Sequence, residues 1–316
     1  MATTQQQPPK VEGGSPELAV EQGRQVGFGV VDFLLLLVVS FWGINFSATK
    51  IALEDMQPLT FSALRTGLAL VFFLVVLWRR EGKAGYQLPL ADWRRVAVLG
   101  FFGNFLFIIC FVIGLSSTAV GVASLIQALT PLVVAVLALL FFGQRLKGSA
   151  WLGIAVSLGG LLLVIFGSAG VVAAGDWSGI LLVVASMVSW AVYTLFSGPL
   201  LARYSPYKMT TLAGLVGIPP IILVAMPSLL SENWAAIGWQ AWLATVYSGL
   251  CSIGVAYLLW YYAISRVGGT RTAVYANLVP VVAILFAWLV RGEALTAWEL
   301  LGGAVVLVGI ALTRRK

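Results

Sequence analysis

The 316-residue sequence contains no histidine and only two cysteines, so several kinds of chemistry lack their usual side chains. Histidine is the commonest metal ligand and general base near neutral pH, and no Cys/His cluster or nucleophile–base pair replaces it. No phosphate-binding loop of the GxxxxGK[ST] type occurs, which excludes an ATP-driven pump made of this chain alone. We therefore expect no catalytic residues, no metal and no cofactor. Cys110 and Cys251 lie in apolar runs and are interpreted as packing residues.

Charged residues are also scarce, since they make up 10% of the chain whereas apolar residues make up 60%. The mean hydropathy of +0.98 is far above that of a water-soluble protein, whose surface this composition could not cover. No acidic residue falls in the middle of an apolar run, because Asp32 and Glu299 lie at the ends of theirs. The sequence therefore predicts a membrane protein that lacks a mid-membrane carboxylate to carry protons.

Ten apolar runs are each close to the roughly 20 residues that an α-helix needs to cross a bilayer. The predicted fold is therefore an all-α membrane protein with ten transmembrane helices. Residues 1–30 precede them as a polar tail without the apolar core of a signal peptide, and we expect this tail to be disordered and cytoplasmic. The ten predicted spans are 31–53, 58–78, 96–115, 118–142, 149–167, 177–198, 208–228, 241–263, 270–290 and 296–313.

The second half of the chain repeats features of the first half at a nearly constant spacing. Pro131 and Pro280 are 149 positions apart, and Trp42 and Trp190 are 148 apart. Several glycines recur at 149, for example Gly143 at position 292. The sequence therefore predicts two related units of five helices each, residues 31–167 and 177–313.

The positions of the positive charges predict the topology of these units. With the N-terminus in the cytoplasm, 16 of the 19 Lys and Arg residues fall in the tail, the cytoplasmic loops and the C-terminus. This bias is typical of cytoplasmic loops and places both termini inside; it also accounts for the net charge of +7 without nucleic-acid binding. Because five is an odd number, the second unit must be inverted relative to the first. Inverted repeats are typical of secondary transporters, whose binding site lies near the midplane between the repeats.

Polar and aromatic side chains inside the spans are the candidate lining of a central cavity, because such groups are costly in hydrocarbon without a partner or water. Arg65 is of special interest as a cation that could attract a substrate carboxylate. Its counter-charge would be Glu54, Asp55, a helix end or the ligand, and a snorkelling arginine is the alternative. For the others, the alternatives are interhelical hydrogen bonds and core packing. The candidate substrate-binding residues are Trp42, Asn45, Arg65, Asn104, Gln127, Trp190, Tyr193, Tyr257, Tyr275 and Asn277.

Two prolines at equivalent positions, Pro131 and Pro280, are candidate hinge or gating residues. Each removes one backbone hydrogen bond and frees a carbonyl, which membrane proteins tolerate beside protein or water. A simple kink is the alternative. Tyr261 and Tyr262, near the cytoplasmic end of their span, are interpreted as interfacial residues.

Five segments together resemble the EamA-type branch of the drug/metabolite transporter superfamily: WGINF, ALR, TAVG…LTP, TRTAVYANLVPVVA and GEALTAWELLGGAVVLVGI. The resemblance covers residues 31–313. It implies a basket of ten helices around a central cavity, with the fifth and tenth helices away from it. It also implies export of small metabolites, often amino acids and their derivatives.

These observations predict a multi-pass secondary transporter of the cytoplasmic (inner) membrane that exports a small organic solute by alternating access, without strict proton coupling. Its expected partners are that solute and the lipid bilayer. We expect a monomer, with a dimer left open. Multidrug or quaternary-ammonium efflux is the first alternative, although such activity commonly needs a buried carboxylate. A non-transporting membrane scaffold or receptor is the second.

Overall fold

The computed structural model describes residues 29–143, 148–167, 177–267, 272, 275–292 and 296–313, and every regular element among them is helical. The predicted N-terminal tail lies outside these residues except for its last two positions. Short 3₁₀ turns lie at Gly82–Tyr86 and Trp234–Ala236. The helices are α1 Val30–Asp55, α2 Pro58–Glu81, α3 Leu90–Ser116, α4 Val120–Gln127 with Thr130–Phe142, α5 Gly148–Gly167, α6 Trp177–Leu201, α7 Pro206–Ser231, α8 Trp239–Val267, α9 Ala276–Arg291 and α10 Ala297–Thr313.

Seven of the described helices, α1 to α4 and α6 to α8, are long and apolar enough to cross a membrane, and α5, α9 and α10 contain shorter apolar segments. Their outward faces carry large exposed apolar side chains, such as Val71 (60% exposed), Leu223 (70%) and Leu243 (60%). Lipid rather than water is the solvent that suits such faces, while the helices satisfy their own backbone groups. The prediction of an all-helical, multi-pass membrane protein is confirmed.

Helices α5 and α10 pack closely against each other. A Cβ atom added to Gly160 would lie 2.8 Å from the carbonyl oxygen of Gly302, so the two backbones nearly touch. The Ser157 hydroxyl also donates a hydrogen bond to the Val306 carbonyl across this contact, at 3.3 Å. Small residues permit such close packing in membranes, where no hydrophobic force draws helices together.

Two helices contain a π-helical segment: Gly100–Leu106 in α3 and Ser248–Val255 in α8. Each segment has a glycine at its first or second position, Gly100 or Gly249, which allows a neighbouring backbone to approach. A Cβ atom on Gly249 would lie 2.7 Å from the carbonyl oxygen of Arg65 on α2. The glycine therefore lets α8 approach α2, and this contact positions Ser248 beside the Arg65 side chain.

The two prolines predicted as hinges lie where their helices are interrupted. In α4 the first segment ends at Gln127 and the second starts at Thr130, with Pro131 in its first turn. In α9 a 3₁₀ turn, Ala276–Leu278, precedes the α-helical part, with Pro280 in the first turn. Proline suits a first turn because the missing N–H has no helical partner there. The prolines therefore begin new helical segments rather than kink continuous ones.

Candidate functional site

A cavity of about 90 Å³ lies among seven helices, α1 to α4, α6, α8 and α9. Among the described residues, none that lines the cavity belongs to α5, α7 or α10. Six of the ten candidate substrate-binding residues and one of the two prolines line it: Trp42, Asn45, Arg65, Gln127, Pro131, Trp190 and Tyr257. The remaining lining is largely apolar and aromatic, as in most small-molecule sites.

Arg65 is the charged residue of this lining, and only 2% of it is exposed. Its Nη1 donates to the Ser248 hydroxyl at 3.0 Å, and the guanidinium lies over the Phe61 ring, 5.0 Å from the centroid. Nε is buried without a hydrogen-bond partner. A guanidinium carries five N–H donors, so most of the donors of Arg65 meet no acceptor within the part of the chain that the structure describes.

The two acids expected to neutralise Arg65 are engaged elsewhere. Glu54 pairs with Arg291 at 2.7 Å, and the Asp55 carboxylate accepts a hydrogen bond from the Gly238 backbone N–H at 2.9 Å. Among the described residues, no carboxylate faces Arg65. Glu54 and Asp55 are therefore excluded as partners, which leaves a helix end or the ligand as the source of negative charge. A buried ion without any counter-charge costs several kcal/mol.

Asn45 is linked to Arg65 through one serine. The hydroxyl of Ser248 donates to the Asn45 side-chain oxygen at 2.6 Å while it accepts from Arg65. All three residues are buried. The chain of bonds connects α1, α2 and α8 and fixes the direction of the guanidinium.

Aromatic rings with polar N–H and O–H groups form another wall of the cavity. Trp42 lies 5.6 Å from Trp190, 4.8 Å from Trp260 and 6.4 Å from Tyr257 between ring centroids. The indole N–H of Trp42 donates to the Ser252 carbonyl in the π segment of α8, at 3.0 Å. The rings come from α1, α6 and α8, so this aromatic cluster would change shape if these helices moved.

Gln127 closes the cavity on the side of α4. Its side-chain nitrogen donates to the Ser186 hydroxyl on α6 at 2.8 Å. Gln127 is the last residue of the first α4 segment, and the Thr130 hydroxyl donates to its carbonyl at 2.7 Å. The helix interruption is therefore part of the cavity wall.

The structure places four of the candidate binding residues outside the cavity lining. Asn104 and Tyr193 are fully buried, and their polar side-chain ends face each other, with Tyr261 beside them. Tyr275 donates a hydrogen bond to Asp32 at the start of α1. Asn277, two residues further along the chain, is also buried. Its side-chain oxygen has no hydrogen-bond partner among the described residues. The second proline, Pro280, does not line the cavity either.

Sequence reasoning missed several residues of the cavity region. Ser248 was not predicted because a serine within a helix does not by itself indicate a binding site. Its neighbour Gly249, which aligns with Gly100, was the one feature that marked this position. Trp260 and Ser252 line the cavity as well. The interfacial interpretation of Tyr261 is wrong, since only 1% of it is exposed and its ring lies 5.3 Å from Tyr193.

Comparison with known proteins gives one consistent family. A model of the EamA-like transporter family matches residues 29–166 and 177–315. An uncharacterized transporter of Archaeoglobus fulgidus is 29% identical over 285 residues, which is 90% of this chain and 98% of that protein. The uncharacterized transporter YdfC of Bacillus subtilis is 31% identical over 290 residues, 89% of either chain. A probable amino-acid metabolite efflux pump of Escherichia coli K12 is 29% identical over 287 residues, 88% of this chain and 92% of that one.

A solved structure shares the fold at a TM-score of 0.66 and 20% sequence identity. The likeness covers 90% of this chain and 96% of the other.

Proposed function

The chain belongs to the EamA-like transporter family, and we propose that it is a secondary transporter that exports small organic metabolites, such as amino acids or their derivatives. Support comes from the Escherichia coli relative, which is named a probable amino-acid metabolite efflux pump. The cavity gives independent support, because it combines apolar walls with a few convergent polar groups. Its small volume, well below the roughly 300 Å³ of a typical drug pocket, suits a small solute.

The observation that carries this proposal is Arg65. Its guanidinium borders the cavity with unused donors, and a carboxylate is the group that such a planar fork binds best. Trp42 and Tyr257 offer apolar surface next to it for the remainder of the solute. The proposed binding residues are therefore Arg65, Asn45, Gln127 and the aromatic cluster, with Asn104, Tyr193, Tyr275 and Asn277 as residues of the pathway on either side.

Alternating access would follow from two inverted units of five helices. The recurrence of features supports this arrangement: a π segment in α3 and in α8, a break before proline in α4 and in α9, and a left-handed glycine (φ 64°) after each of those two helices, at Gly143 and Gly292. We place the movable joints at Pro131 and Pro280, with both termini in the cytoplasm and the protein in the inner membrane.

Efflux of quaternary ammonium compounds is the second candidate. The aromatic cluster favours it, because indole and phenol rings attract cations. Arg65 opposes it, since the same cavity presents a fixed positive charge that repels a cationic drug. The export of carboxylates accounts for both features of the cavity.

Export assays with the full chain test the proposal. Cells that express it, loaded with a panel of amino acids and organic acids, should release a subset of them faster than cells carrying Arg65→Gln. Release that is equal for both forms across the whole panel would overturn the proposal.

The proposed inversion has a separate test in cysteine labelling. Single cysteines at Gly82 and at Asn233, which lie in the equivalent turns after α2 and α7, should react from opposite faces of the membrane. Reaction from the same face would exclude the inverted repeat.

A further inference from the structure

The electrostatics of the cavity distinguish among solutes that carry a carboxylate. Arg65 contributes one positive charge, and none of the cavity-lining residues in the described part of the chain is acidic. All twelve Asp and Glu residues of the sequence lie outside the middle of the predicted spans. The two acids at the C-terminal end of α1, Glu54 and Asp55, are held by Arg291 and by a backbone N–H.

A bound solute must therefore balance the charge of Arg65 by itself. A zwitterionic amino acid would neutralise the guanidinium with its carboxylate but add an ammonium group, so the occupied cavity would remain positive. A solute with a carboxylate and no ammonium group makes the occupied cavity neutral. Because an uncompensated charge in a low-dielectric interior is unfavourable, the neutral combination is preferred.

The polar groups around Arg65 also favour an anionic solute. An ammonium group needs acceptors, and two acceptors around the cavity already take one hydrogen bond each: the Asn45 oxygen accepts from Ser248, and the Ser252 carbonyl accepts from Trp42. The guanidinium, by contrast, has donors left over, including its buried Nε. The unused hydrogen-bonding groups of the guanidinium are therefore all donors, which is what an anion needs.

Resting on the proposed function, we infer that the transported solute is a net monoanion, a carboxylate whose α-amino group is absent or acylated, and that its export is driven by the membrane potential. Arg65 belongs to the protein and returns with it, so each transport cycle moves only the charge of the solute. The interior of a cell is negative, and this potential expels anions. Export therefore needs no proton carrier, in agreement with the lack of a mid-span acid.

The size of this driving force can be stated as a concentration ratio. One charge across 100 mV corresponds to about 2.3 kcal/mol, which is roughly a 50-fold ratio at equilibrium. A zwitterion gains nothing from the potential. The response to voltage therefore separates the two kinds of solute.

A matched series of three solutes provides the experiment. Valine, 2-hydroxyisovalerate and valinamide share one side chain and differ in charge as zwitterion, anion and cation. The full-length protein is reconstituted in liposomes, and uptake is measured with and without an inside-positive potential set by potassium and valinomycin; protein-free liposomes give the background. We expect 2-hydroxyisovalerate to enter at least tenfold faster than valine and to accumulate several-fold more when the interior is positive.

Variants on a single helix show whether Arg65 is responsible. Arg65→Gln should reduce the ratio of hydroxyacid to valine uptake at least tenfold, whereas Arg65→Lys, which keeps the charge, should preserve a preference for the anion. Arg79→Gln removes the same charge from the exposed end of α2 and should behave like the unaltered protein. If Arg65→Gln does not fold, the selectivity and voltage response of the unaltered protein still decide the question.

Each outcome has one meaning. Uptake of valine at a rate equal to or above that of the hydroxyacid, or uptake of the hydroxyacid that ignores the potential, overturns this inference and leaves the proposed function standing. Preferred uptake of valinamide overturns the inference and favours quaternary-ammonium efflux. Failure of all three solutes, together with failure of a wider panel of amino acids and organic acids, overturns the proposed function as well.

Discussion

Replacing Ser248 by alanine would break the link between Arg65 and Asn45. The Ser248 hydroxyl is the acceptor for Arg65 Nη1 at 3.0 Å and the donor to the Asn45 oxygen at 2.6 Å. Hydrogen bonds to charged groups contribute about 1.5–3 kcal/mol, and a buried acceptor left unpaired costs about 1–3 kcal/mol. Water in the adjacent cavity can partly replace the two lost hydrogen bonds, so we expect Ser248→Ala to lower the free energy of unfolding by about 2–4 kcal/mol.

Thermal unfolding in detergent, followed by tryptophan fluorescence, measures this effect. With an unfolding entropy of about 2.1 cal/mol/K per residue, 1 kcal/mol corresponds to roughly 1.5 °C in a chain of 316 residues, so we expect Tm to fall by about 3–6 °C. Ser265→Ala is the matched control, because Ser265 is exposed on the same helix and its hydroxyl donates only to the nearby Tyr262 carbonyl. Its Tm should stay within about 1 °C of the unaltered protein.

A double-mutant cycle sharpens this prediction. In an Arg65→Gln background, Ser248→Ala should cost about half as much, because only the Asn45 contact remains to be lost. An undiminished cost in that background would show that Ser248 and Arg65 do not interact. Equal Tm losses for Ser248→Ala and Ser265→Ala would refute the described link altogether.

Three further predictions test packing and the cavity wall. A Cβ atom on Gly217 would lie 2.1 Å from the Gly100 carbonyl oxygen, whereas a Cβ atom on Gly214 would have its nearest neighbours at 3.5 Å. Thermal unfolding should therefore show that Gly217→Ala lowers the free energy of unfolding by about 1–3 kcal/mol, whereas Gly214→Ala leaves it unchanged. Glu54→Gln should change stability by less than about 1 kcal/mol in the same assay, because the Glu54 side chain is 60% exposed. Trp42→Phe leaves the Ser252 carbonyl unpaired and should raise the half-saturation concentration in flux measurements.

The helices of this protein could be predicted because bilayer-length apolar runs are a strong signal in sequence. The predicted start of α2 agrees with the observed one at Pro58, because proline favours the first turn of a helix. The start of α3 was placed at residue 96 but lies at Leu90. The charged residues Asp92, Arg94 and Arg95 are typical of a loop between membrane spans, yet they lie in the first turns of the helix.

The cavity residues were only partly predictable, because a sequence gives polarity but not the exact direction of a side chain. Arg65 and Asn45 stood out as costly groups within apolar runs, and both line the cavity. Asn104 stood out equally but lies in the π segment of α3. Its Cβ atom lies beside Gly217 on α7, and the residue is not part of the cavity lining.

Protection of a cavity cysteine by the solute tests the central claim most directly. In a chain with Cys110 and Cys251 replaced by serine, Val134→Cys places one thiol in the cavity lining, and Leu230→Cys places one on the surface, where this position is 81% exposed. The solute with the highest flux should slow modification of the first thiol by a water-soluble thiol reagent and leave the second unchanged. Undiminished modification at position 134 at saturating solute, with transport intact, would show that the solute binds elsewhere.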